Sequence, residues 1–143
     1  MKRSKIAVLG GGSWGTTTAS VISRQCDAVL WAGDAQIVDE INQDHTNSRY
    51  LADATLHPKL TATTALNVAV EHADAVLIAV PSSHFREVLV NAMPDMPRDI
   101  PVISLSKGLE KGSRMRMTEI IRDVSPHCIP CLLYTSPSPR DRG

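Results

Sequence analysis

An apolar run that ends in closely spaced glycines and leads straight into a helix-forming stretch constrains this chain more than any other feature. Ile6, Ala7, Val8 and Leu9 precede Gly10, Gly11, Gly12, Ser13, Trp14 and Gly15, so that Gly10, Gly12 and Gly15 fit G-x-G-x-x-G. Thr16 to Ser20 follow without a proline, and Val21 and Ile22 supply apolar helix positions. Strand, tight turn and helix start in this order are the context in which the glycine pattern binds a dinucleotide. Gly10 permits the turn, Gly12 lets backbone approach a pyrophosphate, and Gly15 lets the helix lie close on the strand. Free N–H groups at the helix start then face the phosphates. The bland alternative is a glycine-rich turn before an ordinary helix.

The remainder alternates strand and helix. Strands are expected at about 5–9, 28–32, 60–64, 75–80 and 101–105, with another starting near 127–130. Helices are expected at about 13–24, 35–42, 66–72 and 115–123, and one more carries Val88, Leu89 and Val90. Residues 75–80 are apolar without alternation, as in a central parallel strand covered on both faces. Ser13, Asp34 and either Ser82 or Ser83 are the expected N-caps. This order predicts an α/β fold with a doubly wound parallel sheet.

Composition removes several function classes. The chain has 143 residues, enough for one domain with its own core. Fifteen basic residues balance 15 acidic ones, and no basic block argues for nucleic acid or an anionic membrane surface. No apolar run is long enough for a membrane span, and the four apolar residues after the basic start are too few for a signal peptide. Cys26, Cys128 and Cys131 include one C-x-x-C but no second pair. They read as unrelated thiols of a reducing cytoplasm, with no metal site.

From Cys131 the character changes. Residues 131–141 resemble the in-frame translation of a transposon-end sequencing adaptor, and Pro137 and Pro139 exclude a central strand there. The expected organisation is therefore one dinucleotide-binding domain over 1–130 and a disordered, non-native tail over 131–143.

Several segments carry a more specific likeness. They are Gly10-Gly11-Gly12-Ser13-Trp14-Gly15-Thr16, Leu30-Trp31-Ala32, Ile41-Asn42 with His45, Asn47 and Tyr50-Leu51, Ala79-Val80-Pro81-Ser82, and Ser104-Leu105-Ser106-Lys107-Gly108-Leu109-Glu110. In these the chain resembles, over residues 4–130, the N-terminal half of the bacterial-type NAD(P)-dependent glycerol-3-phosphate dehydrogenases. The resemblance implies a Rossmann sheet truncated before the family's helical substrate domain. It also implies an oxidoreductase that reduces dihydroxyacetone phosphate to sn-glycerol 3-phosphate for phospholipid synthesis, with a homodimer as the full-length form. Ser13 and Trp14 would contact the cofactor, together with Gly10, Gly11, Gly12, Gly15, Tyr50 and Pro81. Lys107 would touch both substrate and cofactor. His84 and Phe85 are candidates for walling the nicotinamide site, and His45 is expected to be structural.

One position departs from the family pattern. Where a basic residue suited to a 2′-phosphate is usual, this chain has Gly33 followed by Asp34. Asp34 suits a ribose 2′-hydroxyl, but it is equally placed as a helix cap, so NAD and NADP both stay open. The family's catalytic lysine is expected beyond Pro130, so the chain alone is not expected to turn over substrate. Two alternatives compete: another Rossmann reductase of the ketopantoate-reductase kind, against which Ser-Lys-Gly-Leu-Glu argues, and a non-catalytic dinucleotide-binding module.

Overall fold

In the computed structural model, which describes residues 3–106 and 108–132, six strands form one sheet. They are β1 (Lys5–Leu9), β2 (Asp27–Trp31), β3 (Thr61–Thr63), β4 (Ala75–Ile78), β5 (Pro101–Ser104) and β6 (Ile129–Leu132). Every ladder is parallel and the order is β3-β2-β1-β4-β5-β6. This is the doubly wound order, reversing direction between β1 and β4. The connecting helices are α1 (Ser13–Ile22), α2 (Ala35–Asp44), α3 (Leu66–Val70), α4 (Ser82–Ala92) and α5 (Met117–Val124).

Side-chain alternation along the central strands divides the core in two. Ala7 and Leu9 of β1, with Val76 and Ile78 of β4, pack under Phe85 and Leu89 of α4 and Ile120 and Ile121 of α5. Val8 and Leu77 point the other way, into a cluster with Ala19 of α1, Ile37 and Ile41 of α2, and Leu56 and Leu60. Both faces of the sheet are covered, which is why these strands read as unbroken apolar runs. The free edge of β3 is closed locally. The Asn42 amide donates to Ala62 O at 3.0 Å and accepts from Ala62 N at 2.8 Å, as a neighbouring strand would.

Several local expectations need correction. Ser13 is the first helical residue rather than the cap. Gly12, extended at φ −76° and ψ −175°, caps α1 with no side-chain hydrogen bond. Likewise Pro81, not Ser82 or Ser83, precedes α4, again without a side-chain cap. Asp34 does cap α2, accepting the Gln36 N–H at 2.8 Å. α5 starts at Met117, because Arg114 adopts φ 62° and turns the chain out of helical geometry just before it. Phe85 is wholly buried in the core and does not wall a site. Phe85, Val88, Leu89 and Ala92 recur at helical spacing toward the sheet, whereas His84, one position earlier, is rotated off that face and exposed. β6 crosses the boundary expected at 130, with Cys131 and Leu132 paired to Ile103 and Ser104. Pro130 is tolerated there because β6 lies at the end of the sheet. Lys107 and residues 133–143 fall outside the described residues.

Two carboxylates latch the longer loops. Glu40 on α2 accepts Thr46 Oγ1 at 2.6 Å, Ser48 N at 2.8 Å and Ser48 Oγ at 3.1 Å. This pins the 45–51 turn, where His45 caps α2 with φ 58°. Glu110 receives Arg86 Nε at 2.8 Å and Ser113 Oγ at 2.6 Å, while Arg86 Nη1 reaches Asp123 at 2.7 Å. These hydrogen bonds hold both glutamates below the usual carboxylate range, Glu40 chiefly through Thr46 and Glu110 chiefly through Arg86.

Two outcomes are expected. Replacing Phe85 by Ala should cost about 3–5 kcal/mol of stability in chemical denaturation, as for a core aromatic, and Phe85→Leu clearly less. Glu40 and Glu110 bind protons more weakly folded than unfolded. Their contribution is therefore complete above about pH 4.3 and is lost as pH falls through their lowered folded values. A pH series of thermal melts should show stability declining below that point, and Glu40→Gln should flatten part of the decline.

Candidate functional site

The carboxyl ends of β1, β2, β4 and β5 meet where the strand order reverses, and a cavity of about 670 Å³ opens there. Ligands of open parallel sheets sit outside these strand ends. Backbone bonds gather the ends: Gly10 N donates to Trp31 O at 2.8 Å, Ala79 N to Leu9 O at 2.7 Å and Leu105 N to Ile78 O at 2.8 Å.

The glycine turn forms one wall. Gly10 has φ +130°, a conformation that L side chains rarely adopt, and an added Cβ would lie 2.9 Å from the Ala79 backbone. Gly15 has a packing role: a Cβ there would come 2.2 Å from Gly10 O, so the first turn of α1 rests on the turn itself. Gly12 differs, since a Cβ would meet nothing within 4 Å and would project into open space. The first intrahelical bond runs from Thr16 N to Gly12 O at 3.0 Å. The N–H groups of Ser13, Trp14 and Gly15 therefore precede the helical ladder and carry the positive end of the α1 dipole. An uncapped helix start beside a glycine with open space is a cradle for a phosphate group, and these residues fit a dinucleotide's diphosphate.

Asn47 braces this turn from outside. It is buried in the 45–51 segment and donates to Gly11 O and Thr16 Oγ1, each at 3.0 Å. From sequence Asn47 was visible only as part of a family-like segment, because its partners lie 36 and 31 residues away.

The second wall is the end of β2 with the 45–51 segment. Trp31 donates its indole N–H to Thr64 O at 2.9 Å, which fixes the ring beneath Gly33. Asp34 and Tyr50 line the cavity beside Gly33, and so does Arg49, whose place here no short motif signals. Arg49 Nη1 bonds Asp34 Oδ2 at 2.7 Å. The Gln36 N–H, and then Arg49, hold the Asp34 carboxyl below its ordinary range, and Asp34 in turn raises Arg49. Cap and ion pair use different oxygens, so the one carboxylate serves both.

The third wall comes from β4 and β5. Pro81, Ser82 and His84 at the start of α4 line the cavity together with Leu105 and Ser106. Ser106 Oγ donates to Val80 O, and Ser104 Oγ donates to Ser106 O at 2.7 Å, tying the two strand ends together. Of the residues expected at the site, Gly10, Gly11, Gly12, Trp14, Gly33, Asp34, Tyr50 and Pro81 line one cavity. Trp14 is 58% exposed at its rim. Ser13 and Gly15 are not on the lining; Ser13 is exposed at the helix start and Gly15 is packed behind it.

Comparison with known proteins agrees with this architecture. Residues 5–138 match the family model described as the N-terminus of NAD-dependent glycerol-3-phosphate dehydrogenase. The chain is 52% identical over 124 residues to glycerol-3-phosphate dehydrogenase [NAD(P)+] 2 of Sphingopyxis alaskensis, covering 87% of this chain and 37% of that protein. It is 46% identical over 126 residues to glycerol-3-phosphate dehydrogenase [NAD(P)+] 1 of Mycobacterium tuberculosis, again covering 87% and 37%. The crystal structure of glycerol-3-phosphate dehydrogenase from Coxiella burnetii superposes with a TM-score of 0.82 at 33% identity, covering 92% of this chain and 40% of that one. The chain thus spans somewhat over a third of the length of these relatives. With its parallel sheet, its glycine turn and this match over nearly its whole length, the chain belongs to the NAD(P)-dependent glycerol-3-phosphate dehydrogenase family, in the part that carries that family's N-terminal fold.

Proposed function

We propose that this chain grips NAD or NADP across the glycine turn. In the whole protein it would then serve the reduction of dihydroxyacetone phosphate to sn-glycerol 3-phosphate. One observation carries the reading: Gly15 lets α1 touch the turn, while Gly12 leaves open space in front of the uncapped N–H groups. Main-chain amides and the helix dipole can hold a diphosphate there without a basic side chain. Ser13 and Trp14, at the start of α1, are proposed to close over the cofactor, with Tyr50 on the opposite wall. Pro81, Ser82 and Ser106 would border the nicotinamide end, from which the cofactor supplies its hydride. Lys107 follows Ser106 directly, and its ammonium is proposed to hold the substrate phosphate or polarise the ketone beside the cofactor. Cys26 and Cys128 are free thiols, which suits a reducing, cytoplasmic setting. A homodimer of the full-length protein goes with the family reading. Among the described residues no helix is long and apolar enough to cross a membrane.

Titration of the purified chain with NADH and NADPH, followed by tryptophan fluorescence, tests the cradle. Gly12→Ala should weaken both by at least about tenfold while lowering stability only slightly, by about 1 kcal/mol or less as for an N-cap change, because its Cβ enters the diphosphate's place and clashes with nothing in the protein. Gly15→Ala should lower stability by about 1–3 kcal/mol or more, because its Cβ strikes Gly10 O. Equal binding by wild type and Gly12→Ala would remove the proposal. The chain spans 37% of its relatives' length. It should accordingly bind reduced cofactor without oxidising it when dihydroxyacetone phosphate is added, and sustained loss of cofactor absorbance would contradict this.

A further inference from the structure

The Asp34–Arg49 pair has a consequence for cofactor choice that rests on the dinucleotide reading above. In a doubly wound fold the end of β2 receives the adenosine ribose. An acidic residue there accepts a hydrogen bond from the 2′-hydroxyl and repels a 2′-phosphate, whereas an arginine nearby accommodates the phosphate. This chain has both. Asp34 stands at the end of β2, and Arg49 reaches it from a separate segment at 2.7 Å. Both line the cavity.

Three features make Arg49 more than a surface ion-pair partner. The three residues just before it are anchored, Thr46 and Ser48 by Glu40 and Asn47 by its bonds to Gly11 and Thr16. The guanidinium is thereby delivered to the cavity wall by a braced turn rather than by a mobile loop. The adjoining Gly33 has no side chain, and a Cβ there would meet only the Trp31 ring, at 3.8 Å, which leaves room beside the pair. Finally, a guanidinium carries five N–H donors in a planar fork, and the bond to Asp34 runs through Nη1 alone. An approaching phosphate can share the same cation, and Arg49 cancels the carboxylate charge that would otherwise repel it.

We propose that Arg49, held over the end of β2 by Asp34, is the specificity residue that reads the 2′-position of the adenosine ribose and admits a 2′-phosphate. The basic group that Gly33 cannot provide comes instead from the 45–51 segment, which packs beside the end of β2 on the same wall. Asp34 keeps the unphosphorylated ribose acceptable, so the pair admits both cofactors instead of excluding one.

Dissociation constants of the 143-residue chain for NAD+, NADP+, 5′-AMP and 2′,5′-ADP test this, for wild type, Arg49→Ala, Arg49→Lys and Asp34→Asn. Asn preserves a cap acceptor for α2, and Arg49 is half exposed, so thermal melts should show these variants folded. In Arg49→Ala the affinity ratio of NADP+ to NAD+ should fall about tenfold to a hundredfold, as for loss of a charge-assisted phosphate contact. The ratio of 2′,5′-ADP to 5′-AMP should fall in parallel, and Arg49→Lys should restore part of both. Asp34→Asn should move both ratios the other way by several-fold. Unchanged ratios in Arg49→Ala, with both dinucleotides still bound by wild type, would overturn the role of Arg49 and leave the cradle standing. Failure of wild type to bind either dinucleotide would overturn both.

Discussion

The contact between Gly15 and the carbonyl of Gly10 is the constraint on which the rest depends. A hydrogen in place of a methyl lets the first turn of α1 settle against the end of β1, where any Cβ would lie 2.2 Å from that oxygen. This close approach sets the distance from helix to sheet and turns the uncapped N–H groups toward the switch point between β1 and β4. Had Ser13 been the cap, its hydroxyl would have satisfied one of those donors. Gly12 leaves them without a side-chain partner instead, so the local cost of an unmade cap is the source of the anion site.

The cavity's second wall is built from the far side by polar latches. Glu40 fixes the 46–48 turn, Asn47 joins it to Gly11 and Thr16, and Arg49 closes onto Asp34. The Glu40 and Arg49 bonds are exposed or part-buried and contribute little alone, but with the bonds of the buried Asn47 they replace a regular element with a determined loop. Asn47 is the member that couples the two walls, because it is buried and its donors reach the glycine turn directly. The loop after β5 is tied on the third side by Ser104 and Ser106.

Much of this was legible beforehand, and the reasons are local. The apolar run at 6–9 marked a strand before the glycines, the run at 75–80 marked a strand covered on both faces, and Asp34 before Ile37, Val38 and Ile41 marked a capped amphipathic helix. Phe85 was misplaced because an aromatic next to a histidine at a helix start resembles a site wall, and only the helical phase against the sheet turns it inward. Arg49 and Asn47 gave little signal, since their partners are 15 to 36 residues away and nothing in the intervening composition announces the pairing.

By itself the sequence determined the alternation of strand and helix, the two-sided burial of the central strands and the position of the anion-binding turn. These follow from periodicity and from the absence of a Cβ at three glycines, which are properties of neighbouring residues. Tertiary structure alone decided which strand ends meet, which N–H groups stay uncapped and which arginine stands beside Asp34. Those outcomes depend on how the sheet orders its strands and on loops held by partners far along the chain, and no short stretch of residues encodes either.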